Sequence, residues 1–229
     1  MSKFEILAYE PTPLGVLCLR RRELLGRPGT IVTEVTLDHE FLMSSYCTDS
    51  ERALARIAVE MRGGEALSVL VGGLGLGYTA HQALSSQRVA RVEVIEYLPQ
   101  VIAWLEQGLL PLAAELSSDA RLSVTEADVY ALLLGAPARQ HDLVLIDVDH
   151  SPDERLGSTS AQFYTERGLR LAAEHLAPGG VLAIWSYAET SAFADAMRLA
   201  FDEVRVEPIT VWNDVADEEQ TDWLFFGRR

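Results

Sequence analysis

The chain has 229 residues, 48% hydrophobic and 23% charged, the balance of a globular protein with room for one large domain or a core domain with a small appendage. Lys and Arg number 19 against 34 Asp and Glu, a net charge of −15; such a surface repels nucleic acid and concentrates cations. No stretch reaches the roughly 18 apolar residues of a membrane span, and the first residues lack the apolar run of a signal peptide, so a cytoplasmic protein with neither nucleic-acid nor membrane partners is expected.

Residues 1–47 read as β structure, with strand-like runs at 14–23, 30–37 and 40–45 separated by Gly, Pro and Asp-His turn signals. The basic run Arg20–Arg22 lies in this region and reads as a solvated strand edge. So small a sheet needs to pack against the remainder of the chain. Cys18 and Cys47 stand without ligand-spaced partners, which predicts free thiols and no metal site. Thr48 and Glu51 then fit a capping box ahead of an amphipathic helix over 50–61, which Gly63 and Gly64 stop.

From there strands and helices alternate. Strands are predicted at 66–71, 91–96, 121–126, 142–148 and 181–186. Helices are predicted from Tyr78, at 98–107 with Pro99 in the first turn, at 129–134, at 160–176 and at 191–201. Two last strands, 203–209 and 221–227, flank an acidic loop with no helix between them. Near-continuous apolar strands in strict alternation with helices mean a parallel sheet covered on both faces. The fold expected is α/β: a doubly wound, Rossmann-like, seven-stranded, mostly parallel sheet with an antiparallel last strand at its edge. A small N-terminal β-sheet precedes it. The domain division expected is 1–47 and 48–229.

In open α/β sheets ligands sit beyond the carboxyl ends of the strands. Here those ends carry Gly73, Gly75 and Gly77, then Glu96, then Asp128, then Asp147 and Asp149. The glycines are spaced G-x-G-x-G, not the G-x-G-x-x-G of a dinucleotide loop, and the G-K-[ST] of a phosphate loop is absent. Glu96 lies 19 residues past Gly77, where a carboxylate can accept from both hydroxyls of a ribose. Tyr97 is the next residue. Asp128 can accept from an adenine amino group while the Val129 N–H reaches a ring nitrogen; it is also placed to cap the helix predicted at 129–134. A nicotinamide cofactor would need a separate substrate domain, for which this chain has no room. The pattern predicts an adenosyl ligand without phosphates, S-adenosylmethionine or a relative.

At this level the sequence resembles the spermidine synthase (polyamine aminopropyltransferase) family, within the class I S-adenosylmethionine-dependent methyltransferase fold. "TPLG" (12–15) is similar to the family's T-P-x-G, and "LDHEFLMSS" (37–45) stands at its L-D-G strand. "VLVGGLGLGY" (69–78) stands at its G-G-G-D-G-G loop, and "VEVIEYLPQVI" (92–102) at its ribose-binding segment. "LVLIDVDHSP" (143–152) with the later Phe163–Tyr164 matches D-S-S-D-P and F-Y, and "LAPGGVLAIWS" (176–186) the L-K-P-G-G strand. The resemblance implies that Glu96 binds ribose, Asp128 adenine, and the Gly73–Gly77 backbone the adenosyl group and its side chain. It places Asp147 beside the sulfonium side chain and Tyr46 and Tyr164 near the acceptor, and it implies a homodimer through the N-terminal sheet. The departures are specific. The acid of the family's glycine loop is Gly75 here, the second Asp of D-S-S-D is His150, and two family glutamines are Leu42 and Trp185.

The chemistry expected is displacement at a carbon next to a cationic sulfur, with an amine as nucleophile and Asp147, Asp149 or His150 as the catalytic set. Asp149 or His150 is the candidate base. Tyr46, Tyr164 and Trp185 are the candidate aromatic lining for a cationic or apolar small-molecule acceptor. Because the aligned aminopropyl-holding acids are missing, methyl transfer from S-adenosylmethionine is favoured over aminopropyl transfer from its decarboxylated form. A non-catalytic adenosyl-binding protein is the third reading.

Overall fold

The computed structural model describes residues 4–24, 26–148, 152, 158–213 and 217–229. The N-terminal strands β1 (Phe4–Thr12), β2 (Gly15–Glu23), β3 (Ile31–Leu37) and β4 (Glu40–Ser44) form an antiparallel sheet in that order. β1 is absent from the runs read in the sequence; it completes a hairpin with β2. β2 is therefore interior, and its basic run is not a solvated edge. Arg20 and Arg22 both hold Glu34 on β3, at 2.9 and 2.6 Å, with Glu34 buried. Arg21 donates to the Leu109 carbonyl.

The second sheet begins after α1 (Asp49–Arg62). Its strands are β5 (Leu67–Gly72), β6 (Val89–Glu96), β7 (Leu122–Glu126), β8 (His141–Ile146), β9 (Leu176–Ser186), β10 (Glu203–Asn213) and β11 (Glu218–Arg228). The helices between them are α2 (Tyr78–Ser85), α3 (Pro99–Glu106), α4 (Ala113–Ser118), α5 (Val129–Leu134), α6 (Ser158–Phe163), α7 (Glu166–Glu174) and α8 (Ser191–Ala200). The strand order is β10-β11-β9-β8-β5-β6-β7. The chain builds outward from β5 to β7 and then crosses back to place β8 on the other side of β5. The switch point between β5 and β8 is where such sheets bind ligands.

Alternation of side chains across the pleat sorts the core into two layers. Val69, Val71, Leu143, Leu145, Val181 and Ala183 pack on the face covered by α1, α2 and α3. Leu70, Val144, Ile146, Leu182 and Ile184 pack on the opposite face, with Leu133, Leu169 and Met197 of α5, α7 and α8. Leu17, Leu19 and Val35 of the N-terminal sheet join the first layer, so the small sheet is fastened by a shared core.

Three further expectations change. The helix read over 160–176 is two helices; Thr165 caps α7 by accepting the Gly168 N–H at 3.1 Å, and the chain passes into β9 at Leu176. The antiparallel strand β11 is not the edge strand; it lies between β9 and β10. The β10–β11 hairpin continues to Asn213 opposite Glu218, while β11 meets β9 only over Trp223–Arg228. Its far half thus overhangs the sheet, where the sequence suggested a loop.

Candidate functional site

Two cavities open at the carboxyl ends of the parallel strands. The first, about 390 Å³, is lined by Gly73, Gly75, Glu96, Tyr97, Asp128, Val129 and Asp147, and is roofed by Leu14, Leu37 and Leu42 of the N-terminal sheet. The second, about 480 Å³, lies between that sheet and the overhanging hairpin, and takes in Tyr46, Glu51, Tyr78, Trp185, Gln220 and Asp222. Leu42, Met43, Gly75 and Asp147 line both, so the two chambers meet there.

The glycine loop makes this junction. Gly73 has φ +96°, and a Cβ on it would stand 2.2 Å from the Asp147 carbonyl oxygen. Only glycine lets the two strand ends come together. Gly75 has φ +51°, and a Cβ there would stand 3.0 Å from the Met43 sulfur. The space in which a longer residue 75 would project is taken by a thioether from β4.

Glu96 ends β6 facing the first chamber and is 7% exposed. The N–H groups of Leu74 and Leu98 each donate to it at 2.8 Å. Burial raises its pKa, and the backbone donors oppose the rise. The carboxylate thus ties the glycine loop to the turn after β6. Asp128 caps α5, accepting from the N–H groups of Tyr130 and Ala131 at 2.8 and 3.2 Å, and also lines the chamber. No Lys, Arg or His among the described residues lines this chamber.

The second chamber is acidic. Glu51 is not in the capping box read from the sequence: Thr48 occupies the N-cap position with no side-chain cap bond, and its Oγ1 accepts from Arg52 instead. The Glu51 carboxyl lies within 3.0 Å of Ser50 Oγ and lines the chamber. Burial and the neighbouring Asp147 push its pKa up to about 8. Burial lifts Asp147 to about 6; Thr79 Oγ1 donates to it. Burial also raises Asp222, on β11. The one basic side chain on this lining among the described residues, Arg22, is held by Glu34.

Of the aromatic candidates, Tyr46 and Trp185 line the second chamber. Arg27 lies over the Tyr46 ring, and the Trp185 indole N–H donates to Ser50 Oγ at 3.1 Å. Tyr164 lines neither cavity. Its hydroxyl pairs with that of Tyr130 at 2.8 Å and its ring packs edge-on against Phe163 and Phe193 in the second core layer. Asp149 and His150 lie outside the described residues. Glu51 and Asp222 are missing from the candidates drawn from sequence. The helical spacing of Glu51 reads as a cap, and Asp222 sits in a stretch that reads as an ordinary strand start. Among the described residues no group of three or more His, Cys, Asp or Glu is placed to hold a metal ion, and no helix is long and apolar enough to cross a membrane.

No protein-family model matches the chain. Over 124 residues it is 32% identical to polyamine aminopropyltransferase 2 of Streptomyces coelicolor, a match covering 53% of this chain and 22% of that relative. The chain thus spans well under half the length of the curated relative it matches. Among solved structures it resembles spermidine synthase from Thermotoga maritima, with TM-score 0.73, 16% identity, and coverage of 97% of this chain and 72% of the other. It also resembles a spermidine synthase in complex with the transition-state analogue AdoDATO, with TM-score 0.74, 16% identity and coverage of 97% and 73%. A probable spermidine synthase from Corynebacterium glutamicum aligns with TM-score 0.66 at 14% identity, over 98% of this chain and 80% of that one. The chain therefore has the spermidine-synthase fold, a seven-stranded methyltransferase-type sheet behind a small antiparallel sheet, and it resembles the polyamine aminopropyltransferases in sequence.

Proposed function

We propose that the chain is an alkyltransferase of the aminopropyltransferase type, taking decarboxylated S-adenosylmethionine in the first chamber and a cationic amine in the second. The observation that carries this is the junction: Asp147 faces both chambers, and Glu51 and Asp222 join it on the acceptor side with no free basic partner on the described lining. Three carboxylates whose pKa values are raised by burial are stabilised by a bound cation, which supplies the missing counter-charge. Glu96, Asp128 and the glycine backbone fit the adenosyl half of the ligand.

The bound cofactor supplies a carbon already activated by its cationic sulfur. The protein's part is then orientation and handling of a proton. Glu96 would hold the ribose and Asp147 the terminal ammonium of the aminopropyl arm, with Met43 over Gly75 offering an apolar surface to the arm's carbons. The acids missing at the aligned positions weighed toward methyl transfer in the sequence. Glu51 and Asp222 provide acids from other elements, and this tips the reading to aminopropyl transfer. Titration calorimetry with S-adenosylmethionine and its decarboxylated form, followed by mass spectrometry of the product from 1,4-diaminobutane, tests it. Tighter binding of the decarboxylated form and an aminopropylated product are expected. Tighter binding of S-adenosylmethionine, or a methylated product, overturns the proposal.

A further inference from the structure

Ser50 Oγ is the meeting point of three polar groups. It lies 2.7 Å from Asp222 Oδ2, 3.0 Å from Glu51 Oε2 and 3.1 Å from the Trp185 indole nitrogen. A hydroxyl has one proton and two lone pairs, and an indole N–H only donates. The serine proton can therefore serve one carboxylate alone. The other carboxyl must bring its own proton to make its contact favourable. Asp222 is the nearer and deeper, at 8% exposure, and Glu51 is half-buried. The arrangement that satisfies every contact is Glu51 O–H to Ser50 Oγ, Trp185 N–H to Ser50 Oγ, and Ser50 O–H to Asp222 Oδ2. Asp222 Oδ1 is buried and makes no hydrogen bond among the described residues; the Gln220 and Trp185 side chains stand beside this carboxylate, and its side chain lines the acceptor chamber. A buried carboxylate oxygen left without a donor is costly, and it marks the place where a ligand N–H fits.

We propose that Asp222, Ser50 and Glu51 form a proton relay for the acceptor, with Asp222 Oδ1 taking the proton of the attacking amine and Glu51 passing one to solvent. The inference rests on the reading of the second chamber as an amine site. The nitrogen lone pair forms the new N–C bond while the C–S bond breaks, its electron pair remaining on sulfur as a neutral thioether. Diamine binding sends the Glu51 proton to solvent and lets Ser50 turn its O–H to Glu51; the ammonium proton that Asp222 takes to free this lone pair passes to Ser50 Oγ as the Asp222 carboxyl turns, while Ser50 passes its own proton to Glu51. The pKa of Glu51, pushed up to about 8 by burial and Asp147, agrees with its holding a proton at neutral pH. Around the trio stand Asp147, bonded by Thr79, Tyr78, overlain by Arg52, and Tyr46, Cys47 and Tyr187. Across the chamber are Glu40 and the Arg22–Glu34 pair.

The test is titration calorimetry with 1,4-diaminobutane at pH 7 in buffers of different ionisation enthalpy, which counts protons exchanged on binding. The wild type is expected to release close to one proton per diamine, because the incoming ammonium favours ionised Glu51. Glu51→Gln is expected to bind more weakly and release almost none. Ser50→Ala, which keeps both carboxylates, is expected to bind within about threefold of wild type but to lose on the order of 10²-fold in kcat at unchanged KM. Diamine binding with unchanged proton release in Glu51→Gln, or an unchanged kcat in Ser50→Ala, overturns the relay while leaving the amine site standing. No diamine binding by the wild type overturns both.

Discussion

Gly73→Ala is the sharpest perturbation the junction offers. The backbone there has φ +96°, a conformation an L side chain adopts at a cost of about 1–2 kcal/mol. The added methyl would stand 2.2 Å from the Asp147 carbonyl oxygen, more than an ångström inside ordinary contact. That oxygen belongs to backbone, and the Asp147 N–H is bonded to the Gly72 carbonyl at 2.8 Å, so relief requires parting the ends of β5 and β8. Overpacking of this kind costs about 1–3 kcal/mol. Together the terms predict a loss of about 2–5 kcal/mol, or roughly 5–15 °C in melting temperature for a chain of this size. Thermal unfolding followed by circular dichroism reads it, and calorimetry with decarboxylated S-adenosylmethionine should show weakened binding, since Asp147 moves with its backbone. Gly26→Ala is the control: nothing lies within 4 Å of its added Cβ and no positive φ is required. It should be neutral or slightly stabilising. A Gly73→Ala protein that melts within 2 °C (about 1 kcal/mol or less) of wild type, with unchanged binding, would show that the β5–β8 junction accommodates a side chain at residue 73.

Three other outcomes are expected. Glu96→Gln turns an amide N–H toward one of the two backbone donors, so urea denaturation should show a loss of about 1–3 kcal/mol, and cofactor binding should weaken with it; unchanged stability would contradict the assigned bonds. Asp128→Ala removes the α5 cap at about 1 kcal/mol, whereas Asp128→Ser keeps a capping oxygen on a shorter side chain; weaker cofactor binding in both variants is expected, and wild-type affinity in Asp128→Ser would argue against adenine recognition. Glu51 and Asp147 have folded pKa values of about 8 and about 6, raised from 4.5 and 3.8. Their contribution to stability is fully present below the unfolded values and is lost as pH rises through about 6 and then about 8. The melting temperature of the ligand-free protein should fall between pH 5 and 9, and less steeply in Glu51→Gln; equal slopes would show that Glu51 is not the buried acid.

How much of the protein is legible in its sequence depends on the range of the interaction. Elements set by local pattern read correctly: the apolar runs of β5, β8 and β9, the Pro99 start of α3, and the Gly63 stop of α1. Elements whose identity depends on a neighbour did not. β1 is half-exposed and is made a strand by pairing with β2. The break between α6 and α7 depends on Thr165 turning its hydroxyl onto the Gly168 N–H.

The site divides in the same way. Gly73, Gly75, Glu96, Asp128 and Asp147, which line the first chamber, and Gly77, which lines the second, were readable because each stands at the end of a β-strand or in the loop that follows one, and an open α/β sheet gathers its strand ends at one edge whatever the side chains between them. Local pattern in the sequence was thus enough for the sheet, for most of the polar lining of the first chamber and for the acidity of the chain. The second chamber follows from tertiary contacts. Ser50 and Asp222 meet across 172 residues of sequence, and Met43 reaches Gly75 from a separate sheet. Glu51 carries the same local pattern whether it caps a helix or faces a chamber. Only the packing of α1 against the overhanging β10–β11 hairpin turns a cap-like glutamate and a strand aspartate into one buried acidic pair.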